Sequence, residues 1–226
     1  RTTREEYARA EPAWETVLDL DALGKAEGMS WVWHGADVLE PDDRLCLLSL
    51  SPGGSDADVV REFDLATKSF VEGGFYVPEA KSNVTWRDGN SLWIGTDFGP
   101  GTMTESGYPR QAKLWKRGTP LESAELVYEG SSSDVWIAVM HDSTPGFERD
   151  IALRGVTFWT NEMAVLRDGK WLAIEKQDDA NASFWREWLF LELRSDWQAG
   201  GRPFAAGPLL PAQLEGNLAG KGSLEG

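Results

Sequence analysis

A hydrolytic triad needs a general base beside an exposed, strained serine. This 226-residue chain has two histidines, His34 in WVWHGAD and His141 in VMHDST. The first falls on a strand-like run and the second at the end of one, where a lone histidine reads as a packed or surface residue. The usual nucleophile signal is a Gly-x-Ser-x-Gly elbow between a strand and a helix. Its nearest match here, GGSDA at 53–57, breaks the pattern at its last position and runs on into VVREFDL, which reads as a strand. Metal chemistry fares no better. One cysteine, Cys46, and two distant histidines give no zinc spacing. DLD at 19–21 and DD at 178–179 lack the offsets and glycine of a calcium loop. The DFG at 97–99 has no catalytic-loop or Gly-rich partner of the kinase kind, and no phosphate-cradling loop is present. The expectation is no catalytic residue, no metal ligand and no cofactor site in this chain.

The elements that would position any site are strands. From Ser82 to Gly130 a run ending at Trp86 is followed by the turn RDGN, then SLWIGTD, a Gly/Pro-rich loop, QAKLWKRG and AELVYEG. Four short strands with turn signals between them make a meander. The same pattern recurs: RLCLLSLSPGG (44–54) sets Leu45 against Leu92, and WLFLELRSDW (188–197) sets Leu189 against Leu92. A period of about 48 residues lies in the range of β-propeller blades. A middle copy at 147–176 shows strand, RDGK turn, strand, with less regular spacing. The reading is all-β: a partial β-propeller of three to four four-stranded antiparallel blades at about 31–71, 82–130, 134–176 and 183–214. A generic β-sandwich is the alternative that short, regularly spaced strands also permit.

Residues 1–30 read differently, as a strand WETVLDL and a helical turn around 21–27, with Asp21 as cap and Gly28 as stop. Residues 215–226 read as a polar tail. There is no initiator methionine, no signal-peptide core and no run of about 18 apolar residues. Both ends look cut, as in a piece of something longer. The net charge of −15 argues against nucleic acid and anionic membrane as partners. Cys46 reads as a small buried hydrophobe, and Trp86, Trp93 and Trp115 lie within strand patterns as core residues.

Two long strings carry a resemblance. SLSPGGSDADVVREFDLATKSFV (49–71) and FYVPEAKSNVTWRDGNSLWIGTDFGPGTMTESGYPRQAKLWKRGTPL (75–121) resemble the N-terminal β-propeller of bacterial prolyl oligopeptidase family serine peptidases. PAWETVLDLDALGKAEG (12–28) is similar to the segment before their first blade, and LRSDWQAGGRPFAAGPLL (193–210) to a later blade. The resemblance implies a seven-bladed parent propeller set against an α/β-hydrolase domain. That domain holds the Ser-Asp-His triad and cleaves short peptides, often after proline, while the propeller restricts access. A soluble protein is expected, with the compartment, bacterial cytoplasm or periplasm, left open. No residue here matches the triad, so the expected role is non-catalytic, with the hydrolase domain and short peptides as partners.

In a four-stranded meander, the loop between strands two and three lies on the same edge as the start of strand one. The long loop 97–110 then brings Tyr108 and Arg110 to that edge, as candidates to contact substrate or the partner domain. Arginine suits a peptide carboxylate or carbonyl through its forked donors. The runner-up function is an independent carbohydrate- or peptide-binding propeller. An incomplete ring would also leave apolar blade faces such as WVWHGADVL and WLFLEL in water, and self-association is the expected consequence.

Overall fold

The computed structural model describes residues 1–219. The chain divides into two compact units, residues 1–81 and 82–226.

The first unit opens with two short helices, α1 (Arg4–Tyr7) and α2 (Leu20–Glu27). The expected strand at 14–20 does not form. Asp19, not Asp21, caps α2 by accepting the Ala22 N–H at 2.9 Å, and the helix ends at Gly28 with φ 67°. The apolar side chains that suggested a strand (Val17, Leu18 and Leu20), together with Leu23 of α2, instead cover one face of the sheet, against Cys46, Leu48, Leu50 and Phe63. Burial drives this segment and no ladder is needed for it. Cys46 is 1 % exposed, and burial first, then nearby Asp37, pushes its thiol up to about 11. It packs as a small hydrophobe.

The sheet of this unit is β1 (Trp31–Val38), β2 (Leu45–Pro52), β3 (Asp58–Asp64), β4 (Ser69–Phe70) and β5 (Tyr76–Ala80). Both β4 and β5 pair with β3, through Phe63 opposite Phe70 and Val60 opposite Val77. The fourth strand is thus broken, and the blade ends at Ala80 rather than at 71. The break surrounds Glu62, a carboxylate 2 % exposed that accepts the Phe75 N–H at 2.8 Å. Glu62 also takes the Val71 N–H on its carbonyl and gives its own N–H to Phe75.

The second unit holds two regular four-stranded antiparallel blades. One is β6 (Asn83–Asp88), β7 (Ser91–Gly95), β8 (Gln111–Lys116) and β9 (Glu125–Glu129); the other is β10 (Trp136–Asp142), β11 (Arg149–Gly155), β12 (Asn161–Arg167) and β13 (Lys170–Ala173). The RDGK turn places Asp168 and Gly169 at φ 49° and 75°, the pair of positive values that a tight hairpin requires. A further sheet has three strands, β14 (Asn181–Trp185), β15 (Trp188–Glu192) and β18 (Leu209–Gln213). Between β15 and β18 a separate hairpin, β16 (Trp197–Ala199) with β17 (Arg202–Phe204), is inserted. Here the four-stranded expectation for 183–214 fails. The run 197–204 forms that hairpin outside the sheet and buries Phe204 and Ala199 in the core.

Leu45, Leu92 and Leu189 all sit on second strands, as the register of the repeat requires. Blade packing follows from strand alternation. On β11, Ala152 joins Trp93, Ala112, Ile137, Val139 and Ala164 in one core. Its neighbour Ile151 joins Met163, Val165, Leu189, Leu191 and Leu210 in the next. The expected exposure of WLFLEL therefore does not hold for Leu189 and Leu191, both at 0 %. On β1, by contrast, Trp33 is 49 % exposed. Trp86, Trp93 and Trp115 are buried. The start of the polar tail is also packed: α3 (Leu214–Leu218) buries Leu214 and Asn217, and Asn217 brackets the Glu175 backbone with two hydrogen bonds of 2.8 and 2.9 Å. Residues 220–226 of that tail lie outside the described residues.

Candidate functional site

One edge of the second unit collects the starts of the first strands and the loops between second and third strands. Antiparallel connectivity makes this so, since strands one and three run away from the edge and strand two returns to it. The edge carries a cleft of about 510 Å³. Asn83, Trp136 and Asn181 contribute from strand starts; Tyr108, the Thr157–Thr160 loop and Arg194 contribute from the loops. A concave site lined by aromatics with a few polar groups is the usual form of a ligand or docking pocket.

Tyr108 therefore lies in the cleft wall. Its loop is fixed by Thr104, which takes the Tyr108 N–H at 3.3 Å and gives its hydroxyl to the Val135 carbonyl at 3.0 Å. Arg110 does not line the cleft. Its guanidinium is tied to the Gly101 carbonyl at 2.9 Å, the Gly130 carbonyl at 3.3 Å and Glu129 at 2.8 Å. The forked donors that suggested substrate contact hold the loop to its own blade.

The start of β10 is held by Asp134, 2 % exposed. It accepts the Ser131 N–H at 2.6 Å and two guanidinium donors of Arg154 at 2.8 and 3.0 Å. Burial raises its pKa, but the Arg154 and Ser131 hydrogen bonds prevail and hold it below the usual carboxylate range. Next along, the Trp136 indole lies across Gly155. A Cβ at Gly155 would fall 2.5 Å from Trp136 Nε1, so only glycine admits the ring there.

The 156–160 loop is a compact turn. Thr157 Oγ1 accepts the N–H groups of Trp159 and Thr160 at 3.1 and 3.0 Å and meets Thr160 Oγ1 at 2.8 Å. This turn presents Phe158 and Trp159 at 84 % and 74 % exposure. Two adjacent large aromatics on a braced turn have the composition of an interface anchor.

Below the cleft, Lys176 lies among backbone carbonyls. Its ammonium donates to Asn161 at 2.7 Å and Gln177 at 3.1 Å, and also to Ala180 at 3.3 Å and Asp178 at 3.4 Å. Burial lowers its pKa, against the pull of Asp178 and Asp179. The segment joining β13 to β14 wraps around this one cation; Asn181 of the cleft follows it directly, and Asn161 of the cleft gives its N–H to the Asp178 carbonyl at 2.9 Å. Sequence reading missed Lys176, Arg194, Phe158 and Trp159. The aromatic pair had a legible signal: TFWT occupies the same second-to-third-strand connection as the Tyr108 loop.

Both histidines carry carboxylate partners. His34 stands at a bulge in β1 with Nδ1 2.6 Å from Asp58. His141 Nδ1 is 2.8 Å from Asp150, which also accepts the Trp93 indole N–H at 2.9 Å across the two blades. Ser55 of GGSDA makes a local turn, its hydroxyl accepting the Ala57 N–H at 3.3 Å. Among the described residues no group of three or more His, Cys, Asp or Glu side chains gathers as a metal site. Among them, too, no helix is long and apolar enough to cross a membrane.

Residues 1–147 match the family model described as prolyl oligopeptidase, N-terminal beta-propeller domain. An uncharacterised peptidase, y4nA, of Sinorhizobium fredii is 38 % identical over all of this chain and 32 % of its own length. A second uncharacterised peptidase, RP174 of Rickettsia prowazekii, is 26 % identical over 93 % of this chain and 31 % of its own. Among solved structures, a post-proline cleaving enzyme from Rickettsia typhi superposes with a TM-score of 0.91 at 26 % identity, over 99 % of this chain and 35 % of that one. A prolyl endopeptidase at 11 % identity and TM-score 0.71 agrees in fold. The chain spans about a third of the length of each of these relatives.

Proposed function

Because the chain belongs to the prolyl oligopeptidase N-terminal β-propeller family, we propose that it is the non-catalytic cover of a serine peptidase that cleaves short peptides, with a preference for proline. The observation that carries this reading is the cleft edge. First strands start there and fourth strands end there, so a domain joined to both ends of such a propeller attaches on that edge. The aromatic tip Phe158–Trp159 and the cleft beside it are the features on the edge suited to meeting a hydrolase domain and the peptide it holds. The carboxylate contacts of His34 and His141 support a structural role for both histidines.

The exposed Trp159 ring also favours a second reading, a carbohydrate- or peptide-binding module acting alone, since an open indole face can stack on a sugar. Self-association of the isolated chain through its exposed blade face, where Trp33 of β1 is 49 % exposed, belongs with the cover reading.

The test is active-site labelling. The full-length peptidase, treated with a fluorophosphonate probe and mapped by mass spectrometry, is expected to carry the label on a serine outside residues 1–226. Label on any serine within this chain would overturn the cover reading. Glycan-array binding by the chain with a change in tryptophan fluorescence would favour the second reading.

A further inference from the structure

We infer that Arg194 is the anion contact of this cleft and binds a peptide carboxylate. The inference rests on the cover reading and deepens it. Arg194 is exposed at the cleft wall and makes no ion pair or hydrogen bond among the described residues. The carboxylates on either side of it in sequence are otherwise engaged, and so is Asp179, which meets its neighbour Ser195. Glu192 accepts the Asn181 amide at 2.9 Å, Asp196 the Ala206 N–H at 2.9 Å, and Asp179 the Ser195 hydroxyl at 3.1 Å. Its backbone is anchored by Leu193, 2 % exposed, so the side chain projects from a fixed base.

A free guanidinium beside Tyr108 and Trp159 has the chemistry to grip a carboxylate by two parallel hydrogen bonds while aromatic faces cover the adjoining residue. A cleft of about 510 Å³ suits two or three residues of an extended peptide. On a chain of net charge −15, this local positive group also sets the orientation in which an anionic end enters. The carboxylate has two sources, the peptide C-terminus or an acidic side chain.

The experiment uses the full-length peptidase and one short proline-containing peptide in four forms. The C-terminus is either free acid or amide, and the penultimate residue is either Glu or Gln. KM for a carboxylate-bearing form is expected to lie about tenfold below that of the neutral form, the scale of one charge-assisted contact. The form that shows the difference identifies the source. Arg194→Gln should erase it, Arg194→Lys should recover part, and Lys170→Gln, an exposed turn lysine, should leave it in place. Equal KM for all four forms with the wild type, or a preference that survives Arg194→Gln, overturns the inference. Neither outcome touches the cover reading, which fails separately if the labelled serine lies in this chain.

Discussion

Alanine in place of Asp134 is expected to lower folding stability by about 3 kcal/mol, the low end of the cost of breaking a buried ion pair by removing one partner. The carboxylate is 2 % exposed and receives three hydrogen bonds, two from Arg154 and one from the Ser131 N–H. Without it, Arg154 keeps only Glu162, at 3.0 Å, as a side-chain partner, and the Ser131 amide loses its acceptor. The sign with pH is fixed by the lowered pKa. The native state holds Asp134 charged to a lower pH than the unfolded chain does, whose value is about 3.9. Its contribution is therefore complete above that unfolded value and is lost as pH falls through the native one. Urea denaturation at pH 7 should show the full deficit of Asp134→Ala, and the gap to wild type should narrow below pH ~4. An unchanged midpoint at pH 7 would contradict the assigned role.

Methionine at position 176 is expected to cost about 2–4 kcal/mol, because carbonyl oxygens lose their donor and each unsatisfied buried polar group costs about 1–3 kcal/mol. Asp178 and Gln177 keep other donors, the N–H groups of Asn161 and Ala180. The loss therefore falls on the Asn161 and Ala180 carbonyls, bound by Lys176 at 2.7 and 3.3 Å. These two residues flank the cleft, so Lys176→Met should also speed hydrogen exchange at 177–181 beyond what its global stability dictates. Exchange that rises uniformly across the second unit would refute the cage while leaving the stability loss in place.

The blades were legible because their signal is periodic. Leu92 and Leu189 mark second strands by spacing alone, and RDGN and RDGK mark turns by chemistry that no other residues supply as well. Irregular features were not legible, each for a local reason. Val17, Leu18 and Leu20 have a strand-like composition, yet burial on a sheet face satisfies them without pairing. The fourth strand of the first blade breaks at Glu62, whose buried carboxylate takes the Phe75 amide; such a contact leaves no pattern in sequence. The 183–214 stretch reads as one four-stranded blade, but β18 pairs directly with β15 and β16–β17 stand apart as a hairpin. The site divides similarly. Meander topology placed Tyr108 on the cleft edge. It could not reveal that Arg110 is tied to Gly101, Gly130 and Glu129 while Arg194, far along the chain, has no partner among the described residues.

The cover reading is tested most directly by the length dependence of cleavage. Full-length enzyme is given unstructured substrates that share one proline site and grow from a few residues to a whole unfolded protein. A cover over the active site predicts turnover that falls steeply with length. Replacing the Phe158–Trp159 tip by two serines should raise turnover of the longest substrate at least several-fold, while the rate of fluorophosphonate labelling stays as in wild type. Turnover independent of substrate length, with the tip variant indistinguishable from wild type, would contradict it.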